Sequence, residues 1–175
     1  KLDMQGMING EARMNVAVFF PLHKDSTAFW LTAKTETMDL TSLNSMTEHL
    51  LGIGILRGKG SVDAPLITGT DSLAKGELVF RYKKLKLAMY NRKKAELNKG
   101  FLSPLINFLI NDLVVNSHNP RFARKPRVGQ SYFVRDTRKG VVNYLWKSVL
   151  SGLTSTLGFN NKEQRLEIKE ERKKR

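Results

Sequence analysis

The sequence predicts an α+β fold dominated by a curved, twisted antiparallel β-sheet, groove-like in form, with three or so packing helices. Residues 76–90 alternate apolar and polar side chains over a long run, as half-buried strands do. The dipeptide Asn9-Gly10, typical of a two-residue hairpin turn, separates two more alternating runs. Three other segments repeat their apolar residues at helical spacing: 39–51, 103–111 and 139–157.

Alternation also predicts the order of the strands. Five strands are expected in an antiparallel meander, at 2–8, 12–22, 28–36, 53–63 and 73–90. Two shorter strands are expected at 113–117 and 130–135. The segment 65–72, Pro-Leu-Ile-Thr-Gly-Thr-Asp-Ser, is rich in turn residues and is expected to be the loop between the two long strands.

The helices are predicted from end signals and apolar stripes. Gly52 is expected to end the first helix, and Ser103-Pro104 to begin the second with a hydroxyl cap and a first-turn proline. The third helix has the clearest stripe: Val142, Leu145, Trp146, Val149, Leu153 and Leu157. Residues 159–175 are a charged tail with only Leu166 and Ile168 to bury, so one domain is expected over 1–158.

The long strand has one apolar and one basic face. Leu78, Phe80 and Tyr82 point one way, whereas Arg81 and Lys83 point the other. The period slips at Lys83-Lys84, which predicts a β-bulge there. Such a sheet suits a covering or carrying surface and offers no reactive group.

Composition restricts the partners more than the fold. The chain has 175 residues, a net charge of +14 and a pI of about 10.1, which favours an anionic partner. It has no cysteine, and its histidines, His23, His49 and His118, lack metal-binding spacing. A glycine-rich stretch at 52–61 departs from the phosphate-loop spacing and is more typical of bulged strands. The sequence therefore predicts a non-enzymatic protein without catalytic residues, metal or cofactor.

Two basic clusters are the candidate contacts with an anionic surface. The residues that carry this prediction are Lys83, Lys84, Lys86, Arg124, Lys125 and Arg127. Aromatic residues are interleaved with the clusters: Tyr82, Tyr90, Phe122 and Tyr132. Aromatic side chains among cations can stack nucleobases, so a nucleic-acid-binding module is one interpretation. Contact with anionic lipid headgroups explains the same lysines without stacking.

The run Gly76-Glu-Leu-Val-Phe-Arg-Tyr-Lys-Lys-Leu-Lys-Leu resembles the closing strand in the C-terminal region of large AsmA-like envelope proteins of Bacteroidetes-type bacteria. The order that follows is also similar: Phe101-Leu-Ser-Pro-Leu-Ile-Asn-Phe-Leu-Ile-Asn, Asn119-Pro120, Tyr132-Phe-Val-Arg135-Asp136 and Asn143-Tyr-Leu-Trp-Lys-Ser-Val-Leu-Ser-Gly152-Leu. Upstream, Met38-Asp-Leu-Thr-Ser-Leu-Asn44 and Ile53-Gly-Ile-Leu-Arg-Gly58 resemble strand–helix–strand units of that region.

The resemblance implies a periplasmic β-groove that shields phospholipid acyl chains between the inner and outer membranes, with phospholipid, an anionic membrane surface and possible envelope proteins as partners. This chain would be the C-terminal part, anchored through an N-terminal segment that it lacks. Its candidate lipid-facing residues are Val16, Val18, Phe20, Leu78, Phe80 and Tyr82. The alternatives are the nucleic-acid-binding module and a structural subunit of an envelope assembly.

Overall fold

The computed structural model describes residues 1–21, 28–89, 105, 118–122, 124–160, 164–166 and 168–170. The strands are β1 (Leu2–Ile8), β2 (Ala12–Phe19), β3 (Phe29–Thr35), β4 (Met38–Asp39), β5 (Ile53–Gly69), β6 (Leu73–Met89), β7 (His118–Asn119) and β8 (Gly129–Val134). A 3₁₀ helix spans Leu40–Leu43, followed by helix α1 (Asn44–Leu51) and, near the end of the chain, helix α2 (Val141–Leu157).

All pairings in this part of the chain are antiparallel and belong to one sheet. The strands run in the order β1-β2-β3-β5-β6, β4 pairs with β5, and β7 and β8 both pair with β6. The predicted α+β, sheet-dominated fold is confirmed, and the strands predicted near 2–8, 28–36 and 130–135 lie within one residue of their observed bounds. The strand predicted at 113–117 lies outside the described residues.

The first hairpin forms for the reason that the sequence indicates. Asn9 and Gly10 both have left-handed φ angles, 46° and 73°, as the dipeptide predicts, and the Glu11 amide donates to the Ile8 carbonyl at 3.0 Å. Ile8 pairs with Ala12, so the connection has three residues, 9–11, rather than the predicted two. The turn sets the register, with Leu2 opposite Val18 and Met4 opposite Val16. Paired residues of neighbouring strands lie on the same face of a sheet, so this register decides which side chains of β1 join the apolar face.

The prediction of a loop at 65–72 is wrong for most of these residues. Residues 65–69 continue β5, and only 70–72 form the turn, in which the Thr70 amide donates to the Leu73 carbonyl at 2.9 Å and the Leu73 amide donates to Thr70 Oγ1 at 3.2 Å. Pro65 fits inside the strand because the pairing register shifts between Asp63 and Leu66. A proline at a bulge removes no ladder hydrogen bond, so the turn composition misled the prediction.

The bulge predicted at Lys83-Lys84 is confirmed. Lys84 has a φ of 54°, and Tyr82 and Leu85, on either side of the slip, are both buried. The facing strand β5 has its own extra residue between Ile55 and Arg57, and Gly58, opposite the bulge of β6, has a φ of 141°. A side chain at Gly58 would lie 2.9 Å from the Leu85 Cα atom, so the close approach of the two strands requires glycine there.

Helix α2 packs on one face of the sheet, called the inner face here, and covers the core. Leu145, Val149 and Leu153 contact the largest buried cluster. That cluster consists of Val18, Phe29, Leu31, Ala64, Ile67, Ala74, Leu78 and Tyr144. Trp146 contacts a second cluster with Leu150 and Leu51, and Leu157 contacts a third with Tyr82 and Leu85. The predicted packing by Trp146, Val149 and Leu153 is confirmed.

The polar side of α2 is the part of the helix that sequence reasoning missed. Ser151 and Ser155 are buried, and their hydroxyls bond the free backbone edge of β8. The backbone amide of Gln130 donates to Ser155 Oγ at 3.0 Å, and Ser151 Oγ donates to the backbone carbonyl of Tyr132 at 2.8 Å. The helix therefore covers this sheet edge with hydroxyl groups, one of the ways natural sheets protect an edge. Val142, expected in the apolar stripe, is instead 79% exposed.

Two other predicted elements are only partly described. Of the helix predicted at 103–111 only Leu105 is described, and it is buried beside Leu51 and Leu150. In the predicted charged tail, the buried residue is Gln164, whose amide donates to Ser151 Oγ at 2.7 Å. Leu166, one of the two apolar residues of the tail, is 62% exposed.

Candidate functional site: an open apolar strip and a basic surface

The apolar inner face of the sheet extends beyond its helical cover toward β1. One cross-strand row runs Ile67, Leu31, Val18 and Leu2. The first three of these side chains are buried, whereas Leu2 is 51% exposed. The next row runs Ala64, Ala33, Val16 and Met4, and its last member is 42% exposed. The same apolar rows that form the core therefore emerge into solvent at β1.

The open strip is the name used for four side chains of this region: Leu2 and Met4, which are exposed, and Met14 and Val16 of β2, which are half-buried. The opposite face of β1 differs in character, because Asp3 and Gln5 share it with Asn15. Met7, also on that outer face, is 54% exposed. An apolar surface that touches water on one face of a strand is a candidate contact for an apolar ligand or a further sheet.

The six predicted lipid-facing residues lie together, but at different depths. Val18, Leu78 and Tyr82 are buried. Val16, Phe20 and Phe80 are half-buried and pack against the largest cluster, and Phe80 also contacts the cluster of Tyr82 and Leu85. Burial raises the pKa of the Tyr82 hydroxyl. Of these six residues, Val16 alone belongs to the open strip, so contact of the others with lipid stays a prediction.

Leu2 and Met4 are the candidate residues that sequence reasoning missed. The signal was present, because Leu2-Asp3-Met4-Gln5 alternates apolar and polar side chains immediately before the hairpin turn. The alternation shows that one face of β1 is apolar, but it does not show whether a helix covers that face. That depends on how far α2 reaches across the sheet, which is a property of tertiary packing.

The other candidate surface is basic and lies on the outer face of β5 and β6. Its members are all exposed and are called the basic face: Arg57, Lys59, Arg81, Lys83, Lys84 and Lys86. Lys59 is opposite Lys83, and Arg57 is opposite Lys86, so like charges are direct cross-strand neighbours. Like charges placed opposite each other destabilise a sheet, and an anion between them would relieve the repulsion.

Few carboxylates of the described chain neutralise the basic face. Asp63 pairs with Arg81 at 3.7 Å. Asp39 is opposite Lys59, but its carboxylate accepts hydrogen bonds from the Thr41 hydroxyl and amide at 2.7 and 3.0 Å. These bonds, with a smaller contribution from the charge of Lys59, hold the pKa of Asp39 below its usual value. The predicted contacts Lys83, Lys84 and Lys86 therefore belong to a surface that is strongly positive.

The remaining predicted contacts lie in the basic loop, residues 120–127, which leaves the sheet edge beside Lys83. Arg124 and Lys125 are exposed. Arg127 is different: its guanidinium donates to the Thr156 carbonyl at 3.3 Å, near the C-terminal end of α2, where a cation is favourable. Arg127 therefore has a structural role in addition to its charge.

The buried Asn119 side chain holds the neck of the basic loop closed. Its Nδ2 donates to the Phe80 carbonyl at 2.6 Å and to the Arg127 carbonyl at 3.2 Å, and its Oδ1 accepts from the Arg127 amide at 2.7 Å. The adjacent His118 is opposite Lys83 on β6. The basic loop and the basic face thus meet at this edge of the sheet.

The aromatic residues that suggested nucleic-acid binding do not form one platform. Tyr82 is buried on the inner face. Tyr132 lies under the ammonium group of Lys75, 5.4 Å from the ring centroid. Lys75 is eight residues before Lys83 on β6, so Tyr132 is far from the cations of the basic face. Tyr90 lies outside the described residues. Phe122 is the aromatic of this set that the structure exposes among cations, and it is 93% exposed.

The described residues offer little to other kinds of site. They contain no group of three or more His, Asp or Glu side chains that could hold a metal ion. An open depression of about 500 Å³ on β1, β2, β3 and β5 is lined by polar residues such as Asp3, Asn15 and Lys34 together with apolar ones, among them Met4 and Val16. In the same part of the chain, no helix is long and apolar enough to cross a membrane.

Comparison with known proteins identifies no relative: no family model, curated protein or solved structure matches the chain. The AsmA-like resemblance therefore stays a prediction from the sequence. The open strip, the basic face and the basic loop have to be interpreted from their own chemistry.

Proposed function

We propose that this chain is a non-enzymatic lipid-handling module, the C-terminal part of a periplasmic β-groove that shields phospholipid acyl chains between two membranes. The observation that carries the proposal is the open strip. Its side chains continue the rows of the core without a break, so an acyl chain laid along Met4 and Val16 would contact an apolar surface already shaped by the sheet.

The energetics favour even partial shielding. Exposure of an acyl chain to water costs about 0.8 kcal/mol for each methylene group, and contact with one apolar face removes part of that exposed area. No reactive group is needed, because the surface only has to lower the cost of leaving a bilayer. The +14 net charge of the chain fits the anionic headgroups that would accompany the acyl chains.

The free edge of β1 supports the groove interpretation. Within the described sheet, β1 pairs only with β2, so its other edge presents free backbone groups. A further β-unit of a longer protein could pair with this edge and lengthen the apolar surface. The same edge suits the alternative of a structural subunit in an envelope assembly.

A pair of methionines on opposite faces of β1 tests the proposal. Met4→Asp is expected to abolish copurification of phospholipid, because it places a charge on the open strip. Met7→Asp introduces the same charge at a similarly exposed position of the same strand and should leave the bound lipid unchanged. Lipid is measured by mass spectrometry of extracts from purified protein. Equal lipid content in the two variants, or none in the unsubstituted chain, would contradict the proposal.

A further inference from the structure

Phe122 lies in the basic loop in a position that the proposed function does not use. It is 93% exposed, more than any other large apolar side chain that the structure describes. Its φ of 55° is a left-handed conformation that is unfavourable for an aromatic residue. The described residues nearest to it in the loop, Arg121 and Arg124, are exposed cations. An exposed aromatic side chain among cations matches a partner that is both apolar and anionic.

The two ends of the basic loop are fixed in place by hydrogen bonds. Asn119 makes two hydrogen bonds to Arg127 across the neck and one to the Phe80 carbonyl of β6, and Arg127 is bonded to the end of α2. Phe122 therefore lies in an exposed segment whose ends are fixed at the sheet edge beside Lys83. A side chain presented in this way can enter a partner surface without rearrangement of the sheet, which reduces the ordering cost of binding.

We propose that the basic loop docks this chain on an anionic phospholipid bilayer, with Phe122 inserted at the headgroup–acyl boundary. Arg121, Arg124 and Lys125 contact the phosphates, and the adjacent basic face adds long-range attraction. Phe122 has the apolar surface that an interfacial anchor needs, and the neighbouring cations match a negative membrane surface.

The alternative occupant, a single-stranded nucleic acid, is less well matched. Base stacking along a strand uses successive aromatic side chains in a basic groove. The basic face displays no aromatic side chain between its cations, since Phe80 and Tyr82 point to the inner face. One projecting phenylalanine supplies a single anchor rather than a stacking platform, and a bilayer needs no more than an anchor with surrounding charge.

This inference deepens the proposed function by naming how the module meets a membrane, and it can fail separately from it. Docking uses Phe122 and headgroup charge, whereas lipid carriage uses Met4 and the open strip. An unsubstituted chain that carries copurified lipid but does not bind anionic vesicles would overturn the inference alone. Retained docking in a chain that carries no lipid would overturn lipid carriage alone.

Binding to vesicles measures the contribution of each part of the loop. With phosphatidylcholine–phosphatidylglycerol vesicles, Phe122→Ala should weaken binding about tenfold through lost apolar contact. Val142→Ala, at an exposed apolar position of α2, should leave vesicle binding unchanged.

The double reversal Arg124→Glu with Lys125→Glu should weaken vesicle binding more than tenfold. Arg13→Glu with Lys34→Glu changes the net charge equally, away from the loop, and should have a smaller effect. Equal effects within either pair would overturn the inference.

Insertion of the tip is measured directly with a fluorescent label. The chain has no cysteine, so a dye sensitive to polarity can be attached at Phe122→Cys or at Val142→Cys without ambiguity. Anionic vesicles should shift the emission of the dye at 122 to the blue and leave that at 142 unchanged. If the emission of the dye at 122 does not shift while the protein binds vesicles, the side chain at 122 is not inserted and the inference is overturned.

Binding to single-stranded DNA at physiological salt that depends on Phe122, without affinity for vesicles, would overturn the proposal in favour of nucleic acid.

Discussion

Replacing Gly129 with valine is expected to destabilise the domain by about 3 kcal/mol or more. Gly129 begins β8 directly beneath α2. A Cβ atom there would lie 2.2 Å from the Gly152 carbonyl oxygen and 2.8 Å from the Thr156 amide nitrogen. Both are backbone atoms of the helix, so no rotamer change relieves the clash and α2 has to move away from the sheet. Total stabilities of small domains are about 5 to 15 kcal/mol, so this change removes a large share.

Urea denaturation followed by circular dichroism measures this effect. Gly6→Val is the matched control, because the same substitution in β1 meets no atom within 4 Å. Valine is also favoured over glycine in strands, so the control should unfold at the same urea concentration as the parent or at a higher one. Equal midpoints for the two variants would show that α2 does not pack against β8 as described.

Placing a carboxylate at Leu78 should prevent folding, whereas the same carboxylate at Met4 should be tolerated. Leu78 is completely buried, and the Gly152 position of α2 lies against its side chain. Leu78→Asp loses the apolar contacts, which costs about 2 to 5 kcal/mol, and also buries an unpaired charge. Met4 has solvent beside it, so a charge there stays hydrated and the free energy of unfolding should change by less than about 1 kcal/mol.

The comparison separates core from open surface on the same face of the sheet. Thermal unfolding of Met4→Asp and Leu78→Asp, measured beside the parent, gives the result. Phe80 is a poorer position for this test, because it packs against two core clusters and a charge there disturbs both. If Met4→Asp unfolds the domain as Leu78→Asp does, Met4 is part of a closed core and the open strip does not exist.

The predictions from sequence succeeded where local chemistry decides the structure. Asn9-Gly10 specifies its turn because two successive residues need positive φ, and the slip at Lys83-Lys84 marks a bulge because Tyr82 and Leu85 both need burial. The prediction for 65–72 failed because Pro65 and Gly69 suggest a turn locally. The sheet accommodates Pro65 at a bulge and Gly69 beneath the Phe29 ring.

Where the site depends on tertiary coverage, the sequence was insufficient. Alternation identified the apolar face shared by Val18 and Leu78, but not the depth of each residue beneath α2. The hydroxyl groups of Ser151 and Ser155 gave no signal, because their partners are backbone groups of a strand about 20 residues away. The exposure of Met4 and Phe122 likewise depends on tertiary packing, which their neighbours in the sequence do not indicate.

Photocrosslinking from the open strip tests the central claim most directly. A benzophenone amino acid is placed at position 4 or at position 7 of β1, and the protein is irradiated with phospholipid vesicles. Mass spectrometry then identifies any adduct and the lipid carbon to which it is attached. The account predicts adducts to acyl-chain carbons from position 4 and none from position 7. Absence of acyl-chain adducts at position 4, or equal yields from both positions, would contradict a lipid-shielding role for this sheet.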